Sequence, residues 1–399
     1  MTSSRPLRFI AVLASVTVLG PLATYMFVPA LPAVQRDFAA SVGLVQLTFS
    51  LAMLAFGVAT LIFGPLSDRF GRKPILLVGV ALFLVGSVVS AVADNILVLI
   101  AGRLVQAGGS AAGIVLARAM ARDVLGFGDS VRVISYLTMM TVVATMLSPT
   151  LGGFLASSIG WRVIFWFMGG VGLFAAVAIV VAMAETHPAR APAGWRGLVA
   201  GVRILSVSRV YLGFTLATAS TYAVFYAFLA AAPYLLVEAL HQPAQIYGIW
   251  FIPVVSAFFV GTYWSTRLLN HFEADRLICW GTIGIAITTI ASVPLYFLLP
   301  LSVPLLFIPI IVVSFLQGFI IPNAQASAIN VEPEYAGAGS GLVSFVQMAT
   351  GALVVQAVAQ FADGTVRPML AFMVFGAIAG LLSLMLIKKP SVKVGRGEL

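Results

Sequence analysis

The sequence predicts an all-α polytopic membrane protein, with twelve transmembrane helices in two six-helix bundles and both termini in the cytoplasm. Of the 399 residues, 61% are hydrophobic and 9% are charged. Soluble domains carry roughly 25% charged residues, so a soluble protein of this size could not cover its surface. Apolar runs of about 20 residues, the length that crosses a bilayer as a helix, recur along the chain. Basic residues concentrate in alternate connecting segments, as in multi-pass proteins.

Twelve apolar runs are long enough to span a bilayer, with ends uncertain by a few residues. They cover 9–31, 43–66, 74–93, 96–121, 133–156, 162–184, 210–234, 245–269, 277–299, 303–327, 338–361 and 367–388. The first run is too long and too poorly flanked for a cleaved signal peptide. We therefore expect it to remain in the mature protein as the first membrane span.

The distribution of Lys and Arg predicts the orientation. With a cytoplasmic N-terminus, the outer segments hold only Arg36, Arg162 and Arg367, and Arg103 lies inside a span. The other 18 of the 22 basic residues fall in cytoplasmic segments: Arg5, Arg8, Arg69, Arg72, Lys73, Arg118, Arg122, Arg132, Arg190, Arg196, Arg203, Arg209, Arg267, Arg276, Lys388, Lys389, Lys393 and Arg396. This asymmetry favours both termini inside. The net charge of +9 then faces anionic inner-leaflet lipid, and nothing indicates a nucleic-acid partner.

The longest connection, 185–209, divides the chain into six spans and six spans. We predict an N-terminal bundle at 1–186, a cytoplasmic linker at 187–207 and a C-terminal bundle at 208–399. The end of the linker turns apolar and basic, which is compatible with a short amphipathic helix on the membrane surface. An unstructured linker is the alternative, and both stay open.

One charged stretch, GPLSDRFGRKP at 64–74, stands between the second and third spans. Its two glycines and two prolines predict a tight connection between helix ends. Arg69, Arg72 and Lys73 mark it as cytoplasmic, and Asp68 is its only acid. A loop that only has to turn does not need this pattern, so we expect it to have a function.

This stretch resembles the loop signature of the major facilitator superfamily, with Gly64, Asp68, Arg69, Gly71, Arg72 and Lys73 at the key positions. Three further segments carry the resemblance along the chain. Arg103 and Gln106 with Gly108 are similar to the RxxQG segment of helix four. Ser148, Pro149, Gly152 and Gly153 are similar to the helix-five signature of drug:proton antiporters, with serine in place of the first glycine. VPALPAV at 28–34, ARAMARD at 117–123 and Ile321-Pro322-Asn323 together resemble the Bcr/CflA multidrug-resistance subgroup.

The resemblance implies a secondary active transporter of the bacterial inner membrane that exports small amphipathic drugs or toxic compounds. It implies alternating access, a proton gradient as the energy source, no cofactor, and a small drug-like molecule as the partner. We expect a monomer.

The resemblance also implies a gate in the loop. A carboxylate at Asp68 would face the N-terminus of helix eleven near 337–341, where an anion gains roughly 0.3–1 kcal/mol. Arg72 would pair with Asp123. These contacts would form when the cytoplasmic side is closed and would favour the outward-open state. The alternative is a solvated loop that only sets topology.

Several residues are candidates for a substrate cavity. A central arginine costs about 2.5–3.5 kcal/mol on insertion scales, so Arg103 should face an aqueous cavity or a partner, with Gln106 on the same helical face. The alternative is a structural contact between helices. An aromatic wall at Tyr222, Phe225 and Tyr226 would suit amphipathic compounds, but ordinary packing explains it equally well. Tyr25 in helix one and Gln347 in helix eleven are further candidates.

Helix five carries Ser148, Pro149, Gly152 and Gly153 near its middle. Small residues let helices approach closely, and proline permits a bend. We interpret this as a tight helix interface connected with antiport, against the alternative of ordinary close packing.

A missing acid is the most informative feature. The antiporters that this chain resembles place an acid in the middle of helix one, where this sequence has Tyr25. Residues 9–31 contain no acid, and the acids elsewhere lie in or beside connecting segments. Proton coupling could then depend on Asp37, Asp123 or Glu238. Alternatively, the protein is an uncoupled or differently coupled facilitator or metabolite exporter.

Other classes of protein are disfavoured by what the spans contain. They hold no carboxylate or histidine pair for an enzyme, few polar rings for a channel, and the chain has no P-loop for ATP. His187, His241 and His271 are far apart in sequence, so we expect no metal site.

Overall fold

The computed structural model describes residues 4–186 and 194–387, and within them the fold is entirely helical. The α-helices are α1 Ser4–Thr17, α2 Leu19–Tyr25, α3 Leu31–Phe38, α4 Val42–Phe70, α5 Arg72–Ala91, α6 Ile96–Ser158, α7 Arg162–Ala182, α8 Trp195–Leu205, α9 Arg209–Tyr234, α10 Ala244–Leu268, α11 Ala274–Leu298, α12 Val303–Ile329, α13 Ala336–Gln360 and α14 Arg367–Ile387. Short 3₁₀ turns lie at Val28–Ala30 and Pro333–Tyr335, and a π-helical turn at Leu235–Ala239.

Twelve helical stretches are long and apolar enough to cross a membrane, which confirms the predicted class and the number of spans. One difference concerns α6, which contains the fourth and fifth spans, Ile96–Leu125 and Arg132–Ser158. The backbone remains helical through the predicted connection between them, where no proline removes a backbone donor. The orientation of the termini stays a prediction. Residues 187–193 of the linker and the basic tail 388–399 lie outside the described residues.

The first span is interrupted twice, first between α1 and α2 and then at the 3₁₀ turn Val28–Ala30. Pro21 and Pro29 lack the backbone donor that an uninterrupted helix requires. The interruption leaves carbonyl groups near the end of α2 in need of partners from other helices. Tyr25 is the last residue of α2.

The spans before residue 187, here called the N-terminal half, pack mainly on one another, as do the spans after residue 194, the C-terminal half. The most extensive contacts between the halves are those of α4 with α13 and of α6 with α10. The end of the spans that carries residues 64–74 is called the loop end below. The opposite end, where α4 begins at Val42, is called the far end.

Glycines in α6 allow the first span to approach α6 very closely. A Cβ at Gly113 would overlap the carbonyl oxygen of Val16, and a Cβ at Gly152 would overlap that of Met26. These two contacts press the interrupted span onto α6 on either side of Tyr25. The position of Tyr25 is therefore set by backbone-to-backbone packing.

We expect the substitution Gly152→Ala to destabilise the protein, because the added methyl group forces α6 away from the first span. Overpacking of this kind costs about 1–3 kcal/mol. Thermal unfolding of the purified protein in detergent measures the change as a lower midpoint. Gly170→Ala in α7 is the matched control, since a Cβ there meets no atom within 4 Å. Equal midpoints for the two variants would contradict the prediction.

Candidate functional site

A cavity of about 260 Å³ lies between the two halves, near the middle of the spans. Its lining side chains share one property, since none carries a charge. The lining residues are Gly20, Pro21, Thr24, Tyr25, Phe56, Ile114, Thr141, Val142, Thr145, Tyr222, Phe225, Tyr226, Val254, Val255, Phe258, Ser314, Gln317, Ile321 and Met348. Four of the predicted cavity residues, Tyr25, Tyr222, Phe225 and Tyr226, are therefore brought together here. The lining is apolar with hydroxyl and amide groups at intervals, which is typical of small-molecule sites.

Aromatic residues of this cavity pack on one another and on Phe251, a buried ring outside the lining that connects the halves. The rings of Tyr222 and Tyr226 stack with centroids 5.7 Å apart. Phe251 of α10 lies 6.2 Å from both Tyr25 and Phe225. The sequence does not single out Phe251, because one phenylalanine in an apolar run carries no signal of its position.

One hydroxyl group of the lining, on Ser314, is buried without a hydrogen-bond partner. A buried polar group without a partner costs roughly 1–3 kcal/mol. A bound molecule that offers a hydrogen-bond acceptor could satisfy this hydroxyl group. The arrangement can hold an apolar molecule and orient it through a few polar contacts.

Arg103 and Gln106, which are predicted cavity candidates, are not among the residues that line this cavity. The side chain of Arg103 is 1% exposed, and Gln106 is fully buried. Arg103 donates a hydrogen bond to the carbonyl oxygen of Ala23 (2.7 Å) and another to Gln106 Oε1 (2.5 Å). Its guanidinium carbon also lies 5.1 Å from the ring centroid of Phe27 and 5.8 Å from that of Phe165.

The physical reason is the interrupted first span. Ala23 is one of the last residues of α2, so its carbonyl oxygen lacks a regular helical partner and carries part of the negative end of the helix dipole. Arg103 satisfies this oxygen, and the aromatic faces of Phe27 and Phe165 add cation–π contacts. Gln106 in turn donates to Ser87 Oγ of α5 (2.8 Å). Arg103 thus joins helices inside the N-terminal half, which was the structural alternative.

Gln347 also lies away from the cavity lining. Its side chain is 3% exposed and its Oε1 accepts a hydrogen bond from Gln325 Nε2 at 3.3 Å. Gln347 Nε2 is buried without a partner. The amide side chain in the cavity lining is that of Gln317 instead, which donates to the carbonyl oxygen of Thr221 at 3.0 Å.

The two glycines of the helix-five motif face different neighbours. Gly152 packs on the first span, within the N-terminal half, whereas a Cβ at Gly153 would lie 2.8 Å from the carbonyl oxygen of Ala244 in α10. Ser148 donates to the carbonyl oxygen of Ala144 within α6, and Pro149 lies inside the same helix. The motif therefore forms both an interface within one half and an interface between the halves.

Neutral side chains hold the halves together at the far end. Gln46 Nε2 donates to the carbonyl oxygen of Ala230 (2.9 Å), and Gln356 Nε2 donates to that of Gly43 (3.1 Å). Ser50 donates to Gln356 Oε1 at 3.2 Å. Further hydrogen bonds between α6 and α10 join Thr150 Oγ1 to the carbonyl oxygen of Gly248 and Ser157 Oγ to Gln245 Oε1. No pattern in the sequence singles out these amides.

At the loop end, the charged residues of the motif bind mainly one another. Arg72 pairs with Asp68 (2.5 Å) and with Asp123 of α6 (3.0 Å). Both pairs lie within the N-terminal half, so they do not depend on how the halves close, unlike the gate contact that was expected. Arg72 also donates to Ser67 Oγ. Arg69 lies over the ring of Phe70, 5.0 Å from its centroid.

Glu185, which sequence analysis did not select, completes this charged cluster. Its carboxylate accepts hydrogen bonds from the backbone N–H groups of Arg72 (2.9 Å) and Lys73 (3.2 Å) at the start of α5. In return, Lys73 Nζ donates to the carbonyl oxygen of Met183 at the end of α7, at 2.6 Å. Each charge complements the dipole of the other helix. An acid directly after a span, opposite a basic loop, is the signal that could have found it.

Two glycines of the loop differ in what the structure requires of them. Gly71 has φ +97°, which side-chain-bearing residues rarely adopt, and it separates α4 from α5. A Cβ at Gly64 would meet no atom within 4 Å, and nothing in the structure explains a glycine there.

The Asp68 carboxylate is held by Arg72 in this conformation. At the start of α13, the Cβ position of Gly337 has no neighbour within 4 Å.

The three acids considered as proton carriers lie outside the central cavity. Asp37 accepts hydrogen bonds from Arg162 (2.7 Å) and from Trp161 Nε1 (3.1 Å). Asp123 pairs with Arg72. Glu238 lines a separate pocket at the far end together with Tyr234. The cavity has Tyr25 where the resemblance implies an acid.

The sequence matches the family model described as Major Facilitator Superfamily over residues 13–355. The chain is 27% identical to the bicyclomycin resistance protein homolog of Haemophilus influenzae, over 91% of each chain. It is 28% identical to multidrug resistance protein D of Escherichia coli, over 87% of each chain. An uncharacterised MFS-type transporter of Bacillus subtilis is 27% identical over 98% of each chain.

Solved transporter structures share the fold at low sequence identity. A D-xylose–proton symporter superposes with a TM-score of 0.78 at 15% identity, covering 96% of this chain and 98% of that one. A bacterial homologue of the human lysosomal transporter Spinster, in an inward-facing and unoccupied conformation, gives a TM-score of 0.75 at 15% identity, covering 97% and 95%.

We expect Gln46→Ala combined with Gln356→Ala to open the far end, because two hydrogen bonds between the halves are lost. A hydrogen bond contributes about 0.5–1.5 kcal/mol net, so the loss of two would shift the conformational equilibrium by at least about fivefold. Pulsed EPR distances between spin labels at Ile159→Cys and Leu299→Cys, in a Cys279→Ser background, measure the shift.

The matched control for this double variant is Gln317→Ala, which removes the same kind of hydrogen bond within one half. The control should leave the distance distribution between the labels unchanged. An unchanged distribution in the double variant would show that the amides do not hold the far end closed.

Proposed function

The chain belongs to the Major Facilitator Superfamily, and we propose that it exports small, uncharged, amphipathic compounds across the inner membrane by alternating access. The fold and the similarity to multidrug and bicyclomycin resistance proteins support a multi-pass transporter of the bacterial inner membrane, and a transporter rather than an enzyme. The observation that carries the substrate class is the charge-free, aromatic lining of the cavity between the halves.

Electrostatics favours an uncharged substrate. A charged molecule that enters a low-dielectric cavity loses hydration, and this loss is large unless an opposite charge compensates it. The cavity lining carries no such charge. A preference for anions would need Arg103 in the cavity, but Arg103 is buried against Ala23, Phe27 and Phe165. A preference for lipophilic cations would need an acid where Tyr25 stands.

Alternating access is supported by the unequal ends of the molecule. The hydrogen bonds described above join the halves at the far end. If both termini lie in the cytoplasm, the far end faces the outside. This conformation is then closed to the outside, and the cavity would exchange its contents with the cytoplasm. Transport requires the far-end contacts to break and contacts at the loop end to form.

Asp68 would act as the latch of the alternative state. In the present conformation its carboxylate is bound by Arg72. When the loop end closes, Asp68 would reach the N-terminus of α13, where Gly337 leaves space and the helix dipole favours an anion. The latch would thereby favour the outward-open state, while Arg72 would remain paired with Asp123.

Two candidate mechanisms differ in the energy source for transport. Proton antiport follows from the resemblance, and it would use Asp37, Asp123 or Glu238 as the carrier. An uncoupled facilitator or metabolite exporter is the second candidate, and Tyr25 in an acid-free cavity favours it. Neither candidate needs a cofactor, and in both the protein acts as a monomer.

Transport by the purified protein in proteoliposomes tests the proposal, with a panel of neutral, anionic and cationic compounds and with or without an imposed pH gradient. We expect neutral aromatic compounds to be transported in preference to charged ones. Tyr25→Asp should raise the ratio of cation to neutral transport roughly tenfold or more, because a hydrogen bond or ion pair to a charged group contributes about 1.5–3 kcal/mol. Tyr263→Phe, on an exposed part of α10, is the control and should not change this ratio.

The outcomes of this experiment separate the candidates. Uphill movement driven by the pH gradient would establish antiport and direct substitutions to the three peripheral acids. Downhill movement indifferent to pH would establish a facilitator. Transport chiefly of lipophilic cations by the unmodified protein would overturn the assignment of substrate class, and transport of no compound in the panel would count against drug export.

The latch predicts that Asp68→Asn lowers the outward-open population roughly two- to fivefold, the equivalent of the 0.3–1 kcal/mol that an anion gains at a helix N-terminus. Spin labels at Val124→Cys and Asn270→Cys, in a Cys279→Ser background, report the distance between the halves at the loop end. Asp129→Asn makes the same chemical change at an exposed position on the same side. If both variants give the distribution of the unmodified protein, Asp68 is not a latch.

A further inference from the structure

The linker helix α8, Trp195–Leu205, has two different faces. One face is buried against the start of α13, where a Cβ at Gly201 would lie 2.7 Å from the side chain of Ala338 and 3.0 Å from that of Tyr335. Leu205 on the same face is 1% exposed. The other face is exposed, although much of it is apolar.

Large apolar side chains remain uncovered on the exposed face. Trp195 is 37% exposed and Val199 is 65% exposed. Ile204 is also exposed, and Val207 in the following turn is exposed by 80%. Leaving such side chains in water is unfavourable by roughly 25 cal/mol for each Å², so this surface needs a cover.

A basic group lies within this apolar surface. Trp195, Val199, Ala200, Arg203 and Ile204 line one open groove, which is here called the α8 groove. On a helix of 3.6 residues per turn, Arg203 falls between Val199 on one side and Ile204 on the other. A ligand of the α8 groove would therefore place an anionic group on Arg203 and apolar chains on both sides of it.

Charge and position decide which occupant fits. The segments that lie outside the described residues at 187–193 and 388–399 contain Arg190, Lys388, Lys389, Lys393 and Arg396 and no acid other than Glu398, so Arg203 would repel them. The linker follows the sixth span and therefore lies on the same side of the membrane as the loop end. A helix with this pattern at the end of a span lies at the level of lipid headgroups, where the surface carries negative charge.

We propose that the α8 groove binds an anionic phospholipid of the adjacent leaflet, with the headgroup phosphate on Arg203 and acyl chains against Trp195, Val199 and Ile204. The phospholipid fixes α8 at the membrane surface. This proposal does not depend on the transported substrate or on proton coupling.

Because the other face of α8 packs on α13, binding of a lipid to α8 also affects α13. The first turn of α13 is held by α8 and by the start of α9, since Tyr211 Oη donates to the carbonyl oxygen of Gly339 at 2.7 Å. Leu205 contacts the same turn, 3.4 Å from the Cβ position of Gly339. A phospholipid that holds α8 therefore also orders the start of α13.

Site-specific fluorescence of the full chain in nanodiscs tests the proposal. A polarity-sensitive fluorophore is attached to Val199→Cys in a Cys279→Ser background. The quencher is phosphatidylglycerol or phosphatidylcholine that carries a nitroxide close to the headgroup. We expect quenching by phosphatidylglycerol to be roughly fivefold more effective, the equivalent of one basic residue at an anionic surface. Arg203→Gln should abolish the preference, and Arg203→Lys should retain most of it.

The control is Arg276→Gln, which removes an exposed basic residue at the start of α11 on the same side of the membrane and should leave the preference intact. Hydrogen exchange provides a second readout without a label in the groove. Phosphatidylglycerol should slow the exchange of amides 340–343 severalfold in the unmodified protein and not in Arg203→Gln.

Three results would overturn the proposal. Equal quenching by the two lipids would mean that the groove lies in the membrane without binding an anionic headgroup. A fluorophore that remains in water would mean that α8 is not at the membrane. A fluorophore shielded in detergent that becomes exposed after removal of residues 388–399 would mean that the chain's own tail fills the groove.

Discussion

The hydrogen bond from Arg103 to the carbonyl oxygen of Ala23 holds the interrupted first span, and the geometry of the cavity depends on it. A membrane interior offers no water to a free carbonyl group, so an interruption of a span requires a donor from the protein itself. A buried arginine without an acid is costly, and here the end of α2 and two aromatic faces compensate it. The interrupted span and the buried arginine would each be unfavourable alone, but each stabilises the other. Together with the close contact at Gly152, they place Tyr25 in the cavity.

The two ends of the molecule use different chemistry. The far end is closed by glutamine, serine and threonine side chains that donate to backbone carbonyl groups and amides of the other half. The loop end contains arginine, lysine, aspartate and glutamate, which here pair within the N-terminal half. Neutral hydrogen bonds do not change between ordinary pH values, whereas charge pairs respond to neighbouring charges and to salt. Charge can therefore regulate the contacts at the loop end, where α8 and the start of α13 also lie.

The resemblance and the structure agree on the general position of the functional parts but differ on individual residues. The aromatic residues of α9 and Tyr25 meet in one cavity, whereas Arg103, Gln106 and Gln347 lie behind it. Periodicity could place Arg103 and Gln106 on one helical face, but it could not say which neighbour that face meets. Phe251, Gln317 and the far-end amides carried no signal, because one aromatic or amide residue in an apolar run fits packing as well as function.

The sequence by itself determined the membrane class, the twelve spans and the loop between the second and third spans. These features depend on composition, on the length of apolar runs and on local turn residues, all of which are properties of neighbouring positions. Only the tertiary structure decided that the cavity carries no charge, that Glu185 caps α5 and that Gly152 and Gly153 serve two different interfaces. These contacts join residues that are far apart in the chain, and the side of a helix that meets a given neighbour depends on how the spans pack.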